Sequence, residues 1–457
     1  FYFCHGQAGA FQVAVGSPRM SRALLGGLVL IGGLGLGACG GTPTQSAEIS
    51  PLILVPGLGM SALQVEVERP GAQGVEFDFL VPAMNPVEIL PNSATSALAY
   101  SIDSGLAPAD VDSVQRWLSL DIAADGTVRN QEGVSVQPVS IGTDFAAECP
   151  RYLPMIDELL DTGWVADANV YCAPFDYRFP PGPNAFAGDI EALNDSAVAK
   201  AGGSKVVLAC HSQGCLMAYH ALRTLDADWV RTHVETLFGF AGQFSGCSDC
   251  LRWAFQPGWS WDPDDESASP VDPTWAGEMA LGLQESVYGS DVLYRNGDIE
   301  YRAADSARLL NDAGALAMQS AQDRYSLDSQ TWFQQGDELR MPLNVPSRFV
   351  FGIGTETTVG YRFASVPTRA ADCVEPECAG FYSQSDPLPI QADGDGGDST
   401  RMNAAPARWT QDAACDVQRI PGAGHMDILT NSVALAALTL VAQSTSDGAV
   451  PCLNSPR

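Results

Sequence analysis

The apolar positions of the chain fall into short unbroken runs set between stretches with a helical repeat. Leu52 to Val55, Ala168 to Cys172, Ser204 to Cys210, Val234 to Phe240, Arg348 to Ile353 and Val417 to Ile420 read as strands, and Leu52 to Val55, the end of Ser204 to Cys210 and Arg348 to Ile353 are the cleanest apolar runs among them. Leu153, Ile156, Leu159 and Leu160 recur at helical spacing over 152–162, and Gly163 ends that segment. Further helices are expected over 189–198, over 430–442, and after Ser212, where Leu216, Met217, Tyr219, His220, Leu222 and Leu225 repeat. Strands alternating with helices in both halves predict an α/β fold, with a mostly parallel sheet covered by helices on both faces. Two segments break the rhythm. Residues 64–145 are acidic and turn-rich, with no readable period. Residues 246–345 scatter Trp253, Phe255, Trp259, Trp261 and Trp275 among glycine, proline and aspartate. The latter reads as an inserted cap or lid between a first core part, 51–245, and a second, 346–457. Its aromatics fit either a small packed core or contact with lipid.

The strand before His211-Ser212-Gln213-Gly214 and the helix after it give this tetrapeptide its meaning. A serine on a sharp strand-to-helix turn is a nucleophile elbow: the turn lifts Oγ above the sheet and aims the helix N-terminus at the reacting carbonyl. Gly214 permits the close approach of helix and strand, while Cys210 occupies a position where such turns usually carry glycine. The oxyanion donors follow from the motif's mechanics. One is the backbone N–H of Gln213, after the serine. The other is that of Leu58, in the Pro56-Gly57-Leu58 loop ending the first strand. A serine needs a base to take its proton, and histidine suits the task. Of the histidines, His5 precedes the candidate mature segment, and His211 is expected to point to the other side of the turn. His220 and His233 lie on or after the elbow helix. His425 alone sits at a strand end, in a Gly-rich loop near the C-terminus, completing the order Ser…Asp…His. The orienting acid is sought in Asp393-Gly394-Asp395-Gly396-Gly397-Asp398-Ser399-Thr400, with Asp395 and Asp398 as its candidates.

Charge and cysteines narrow the setting. The chain has 457 residues and a formal net charge of −30, from 54 acidic against 24 basic residues. That surface repels nucleic-acid phosphates and anionic lipid and suits a salty medium, though an acid-biased proteome accounts for it as well. Arg19 and Arg22 precede a short Gly- and Leu-rich run ending in Leu36-Gly37-Ala38-Cys39-Gly40, the layout of an export signal, so residues 1–38 read as upstream residues, 1–19, followed by a signal peptide. Leu-Gly-Ala-Cys followed by a Thr/Pro/Gln/Ser tether, 39–50, is similar to a bacterial lipobox. Cys39 would then be lipidated, with Met20 the natural start; a eukaryotic secretory signal is the alternative. Without Cys4 and Cys39, ten of the twelve cysteines remain and favour local disulfides in an exported chain: Cys149–Cys172, Cys247–Cys250, Cys373–Cys378 and Cys415–Cys452, with Cys210 and Cys215 left as small buried thiols. Cys247-Ser-Asp-Cys250 lacks the second pair a zinc site needs. Asp262, Asp264 and Asp265 lack the glycine and glutamate of a calcium loop. No metal or cofactor is therefore called for.

The motifs ILVPGLGMSAL at 53–63, YLPMIDELLDTGWV at 152–165, APFDYR at 173–178, VVLACHSQGC at 206–215 and GAGHMDIL at 422–429 together resemble the lecithin:cholesterol acyltransferase family, which includes lysosomal phospholipases. The resemblance implies an α/β-hydrolase fold. It also implies an acid in a G-D-x-T-V pattern, which Gly397-Asp398-Ser399-Thr400 fits better than Asp395 does, so Asp398 is preferred and Asp395 is the runner-up. It further implies a serine acyl-ester enzyme of lipid metabolism, a phospholipase A, lipase or O-acyltransferase acting on a phospholipid or acylglycerol through Ser212, His425 and an aspartate. A general carboxylesterase or polyester depolymerase, or an inactive lipid-binding lipoprotein with the same fold, are the alternative readings.

Overall fold

In the computed structural model, the residues described are 49–68, 75–81, 117–159, 162–247, 250–254, 274–280, 282–326, 334–335, 338–339, 345–363, 387–406 and 415–443. The leader, Cys39, Phe255, Trp259, Trp261, the 262–265 aspartates and the Cys373–Cys378 pair lie outside them, as does Cys452. The six segments read as strands become six strands: β1 (Leu52–Val55), β2 (Val170–Cys172), β3 (Val206–His211), β4 (Val234–Phe240), β5 (Ser347–Ile353) and β6 (Cys415–Pro421). They form one sheet in the order β6-β5-β4-β3-β1-β2, and every neighbouring pair is parallel.

Five helices cover this sheet: α1 (Leu153–Leu159), α2 (Phe186–Lys200), α3 (Gln213–Thr224), α4 (Ala227–His233) and α5 (Ser432–Gln443). Alternation along the strands divides the core. Ile53, Val55, Val206, Leu208 and Cys210 face one cluster, with Phe186 and Ile190 of α2, Leu216 of α3 and Val230 of α4. Leu52, Leu54, Val207 and Ala209 face the other, with Ile156 of α1 and Leu435 and Leu438 of α5. Burial on both faces explains why these strands carry no polar period. This is an α/β-hydrolase fold. No helix among the described residues is long and apolar enough to cross a membrane.

The sheet order decides where the site lies. The chain leaves β1 toward β2 on one side, and leaves β3 toward β4 on the other. The carboxyl ends of β1 and β3 therefore flank a topological switch point, where open parallel sheets leave a crevice. The loop after β1 carries Gly57 and Leu58, and the loop after β3 carries Ser212.

Part of the chain departs from the expected plan. The stretch without a readable period, 64–145, holds an antiparallel sheet in which Leu63–Glu68 pairs with both Val75–Val81 and Val134–Pro138. In Leu63–Glu68, every second residue is buried, a true period-2 pattern too short to stand out among its turns. Leu388–Gly394, leading into the acidic loop, is a strand paired antiparallel with Thr355–Phe363; it is largely exposed and has no apolar run to announce it. Trp275 is buried, donates its Nε1–H to Leu118 O at 3.0 Å and packs edge-on against Tyr177. Three disulfides tie the described residues: Cys149–Cys172 and Cys247–Cys250, as expected, and Cys210–Cys215, which is a correction. The strand-to-helix reversal brings the Cα atoms of Cys210 and Cys215 to 4.8 Å, within bridging range, so these residues are not free thiols.

Helix α3 rests directly on the end of β1. A Cβ on Gly214 would collide with the carbonyl oxygens of Pro56 and Val55. Backbone cannot yield as a flexible side chain does, so overpacking there costs on the order of 1–3 kcal/mol. Gly214→Ala is expected to lower the urea midpoint by a corresponding amount at unchanged m-value. An unaltered midpoint would contradict the close approach.

Candidate active site

Ser212 links β3 to α3 with φ 53°, ψ −129°, a left-handed conformation that costs a serine energy and persists only where the surroundings fix it. Here the Ser212 N–H donates to Phe240 O on β4 at 3.1 Å, and the start of α3 is pinned on Pro56. The turn leaves Oγ 3.0 Å from Nε2 of His425. His425 arrives from the loop after β6, two strands beyond β4. Its ring lies over Gly397, where a Cβ would stand 2.7 Å from His425 Cγ. The structure thus brings together the serine and histidine singled out from the sequence, across 213 positions of chain.

Both candidate acids reach the far side of that imidazole. His425 Nδ1 lies 3.2 Å from Asp395 Oδ2, in hydrogen-bonding geometry, and 3.3 Å from Asp398 Oδ2. Their hydrogen-bond supply differs. Asp395 Oδ1 accepts from the backbone N–H groups of Gly397 (3.0 Å) and Asp398 (2.6 Å), and Oδ2 accepts from Asn403 Nδ2 (3.0 Å) as well as from His425. Asp398 Oδ1 accepts from Gln243 Nε2 at 2.9 Å, while its buried Oδ2 makes no hydrogen bond. Burial works against ionising either carboxylate. At Asp395, His425 and the donated bonds outweigh it and hold the pKa below the usual carboxylate range. At Asp398 burial prevails, with Asp395 adding repulsion, and the pKa is pushed up to about 7. Burial would lower His425, but the charges of Asp398 and Asp395 reverse the sign and raise it to about 9.

His211 does not point away as expected. The His211 ring instead sits 4.8 Å from that of His425, with Nε2 2.9 Å from the His425 carbonyl oxygen. Burial, then repulsion from His425, drops its pKa to about 3, so the ring is neutral. A carbonyl only accepts, so the proton sits on Nε2, which donates to it; buried Nδ1 has no hydrogen-bond partner. His425 N–H donates to Asp395 O at 2.8 Å, so the base's own backbone is held at both polar atoms. Sequence reasoning did not anticipate the roles of His211, Gln243 and Asn403. Only their nearness to Ser212, to the end of β4 and to Asp398 was visible.

The loop and helix that carry the two expected oxyanion donors meet at the serine. Gln213 opens α3, and the first amides of a helix have no intrahelical acceptor. Leu58 follows Gly57, where a Cβ would lie 3.1 Å from Ser212 Cβ and 2.9 Å from His211 Nδ1. Glycine there lets the β1 loop close onto the elbow. Among the described residues, the one group of His, Cys, Asp and Glu side chains tight enough to ligate a metal ion is Asp395, Asp398 and His425. Its carboxylates are already engaged around the imidazole, and its histidine faces a serine on the opposite ring nitrogen.

Comparison with known proteins gives the following likenesses. Residues 120–256 match the family described as Lecithin:cholesterol acyltransferase. The dog (Canis lupus familiaris) protein Lysosomal phospholipase A and acyltransferase is 21% identical over 335 residues, covering 68% of this chain and 74% of its own. Phosphatidylcholine-sterol acyltransferase of Papio anubis is 28% identical over 230 residues, 44% of this chain and 46% of its own. A chain of the crystallised Tle4-Tli4 complex superposes with TM-score 0.52 at 12% identity, over 87% of this chain and 99% of that one, a likeness of fold.

The charge arrangement has a direct readout. In ¹⁵N-detected imidazole titrations, His425 is expected to titrate well above a free histidine, and Asp398→Asn to lower its midpoint by removing one flanking charge. His211 should stay neutral down to strongly acidic pH. A His425 midpoint at or below 6.5, the model-compound value, would contradict the paired-carboxylate account.

Proposed function

We propose, on the premise that this chain is a divergent relative of the lecithin:cholesterol acyltransferase family, that it is an exported serine enzyme acting on acyl esters of lipids. The observation that carries the reading is the 3.0 Å approach of His425 Nε2 to Ser212 Oγ at the switch point of the sheet, with carboxylates on the opposite ring nitrogen. Ser212 Oγ attacks the ester carbonyl as its proton passes to His425 Nε2. The N–H groups of Leu58 and Gln213 receive the developing oxyanion, which in such enzymes is commonly the largest single stabilisation. The imidazolium formed is held by the Asp395–Asp398 pair, and His425 then protonates the leaving alcohol. Asp395, with the fuller hydrogen-bond supply, orients the ring; Asp398 adds charge behind it. The acyl group on Ser212 passes next to water, as in a phospholipase or lipase, or to a second alcohol, as in an O-acyltransferase.

The lipid substrate is supported by the relatives' activities, and export by the disulfides and by the leader pattern ahead of Cys39. In this reading, segment 246–345 is a cap inserted between the two core parts, and its Trp275 belongs to packed interior rather than to a lipid-facing surface. Cys39, when lipidated, tethers the enzyme at a membrane face.

Fluorophosphonate labelling tests the chemistry. Wild type should be labelled and Ser212→Ala should not. Labelling should accelerate as pH rises, because a protonated His425 cannot accept the serine proton. Phospholipid vesicles with and without a long-chain alcohol then separate the acceptors: a new ester means transfer, free fatty acid alone means hydrolysis. Failure of wild type to label would favour a lipid-binding protein without catalysis. Turnover confined to short soluble esters would favour a general carboxylesterase.

A further inference from the structure

The elbow of this chain has a covalent feature that its motif does not require. Cys210 lies two residues before Ser212 on β3, and Cys215 three residues after it, in the first turn of α3. Their bond closes a small ring around His211, Ser212, Gln213 and Gly214. That ring contains the candidate nucleophile, one candidate oxyanion amide and the histidine that holds the His425 carbonyl. Both sulfurs are buried, in the cluster on the α3 side of the sheet.

The bridge is packed against the neighbouring strand. Gly239 is the register partner of Cys210 on β4; a Cβ there would collide with the Phe349 ring at 2.5 Å and stand in ordinary contact, 3.5 Å, with Cys215 Sγ. A Cβ at Gly242, just past β4, would collide with the Phe244 ring at 2.5 Å and lie 3.1 Å from Cys215 Cβ. The cross-linked side chains and these two rings thus share one tightly filled space against β4.

Three constraints meet in this ring. Gly214 is pressed on the Pro56 carbonyl, Ser212 holds a left-handed backbone, and Ser212 Oγ must stand at hydrogen-bonding distance from a histidine on a separate loop. Noncovalent contacts hold β3 and α3 from outside the turn; the bridge holds them to each other across it. We infer that the Cys210–Cys215 disulfide is a positioning device for the nucleophile, fixing the angle between β3 and α3 so that Ser212 Oγ and the Gln213 amide stay aligned with His425. The inference rests on the reading of Ser212 as the nucleophile. Cys210 and Cys215 act through Ser212 and touch no substrate.

The test compares two cross-links. Cys210→Ala/Cys215→Ala removes the bridge at the elbow, and Cys149→Ala/Cys172→Ala removes one at β2 and leaves the turn intact. For each, the fluorophosphonate labelling rate at Ser212 and kcat and KM on a p-nitrophenyl ester are measured well below unfolding, and Tm is determined by thermal melting. The elbow pair is expected to lose about tenfold or more in labelling rate and kcat with KM within about twofold, as misplacement of a reacting group does. The control pair should lower Tm with labelling unchanged. Equal labelling of wild type and the elbow variant, whatever happens to Tm, would overturn the inference. Absence of labelling in wild type would overturn the nucleophile reading, and this inference with it. Should the elbow variant not fold, wild type is titrated with a phosphine, which supplies the two electrons that open the bridge and becomes its oxide. Alkylation of Cys210 and Cys215 is mapped by mass spectrometry beside the labelling rate. The rate should fall in step with alkylation of this pair; full alkylation at undiminished rate would refute the role.

Discussion

The site depends on a backbone contact rather than on a side chain. Helix α3 begins with its second residue, Gly214, resting against the carbonyls of Val55 and Pro56. That contact fixes how far α3 stands from β1, and Ser212 must then turn through a left-handed conformation to join β3 to the helix. It also brings the loop after β1 against Ser212, with Gly57 small enough to allow it. The sheet order makes the contact available, because β1 and β3 are neighbours whose chains depart in opposite directions.

Around that contact, polar groups are buried in a connected set. Two carboxylates beside one imidazole would be a costly arrangement in an apolar interior unless charges and donors are matched. The matching is uneven. Asp395 has backbone and Asn403 donors, whereas Asp398 has Gln243 alone. The result is one carboxylate held firmly ionised, a second whose proton affinity is raised, and a histidine whose affinity for a proton both increase. His211, neutral because it is buried, adds a donor to this set without adding charge.

Much of this was legible in the residues. Most of the central strands are apolar runs buried on both faces, and the positions of all six followed to within a few residues. Ser212 was marked by the strand before it and the helix after it, and His425 by a strand end followed by a Gly-rich loop. The acid was harder to read because spacing in a flexible-looking loop does not say how it folds. Gly396 adopts φ 93°, and the reversal there presents Asp395 and Asp398 to the same nitrogen, so a choice between two residues met a pair. The elbow disulfide was hidden for a related reason. Five positions along the chain look local, and only the reversal at Ser212 makes them adjacent in space. The antiparallel sheet of 63–138 escaped because its alternation is short and interleaved with polar turns.

The central claim is that Ser212 Oγ attacks a carbonyl whose oxygen is received between the β1 loop and the start of α3. A crystal structure of the protein inhibited with a long-chain phosphonate tests it most directly. The account predicts a covalent bond from Ser212 Oγ to phosphorus, with the phosphonyl oxygen within hydrogen-bonding distance of the Leu58 and Gln213 amides and His425 Nε2 facing the leaving-group side. An adduct on another residue, or a phosphonyl oxygen turned away from both amides, would contradict it.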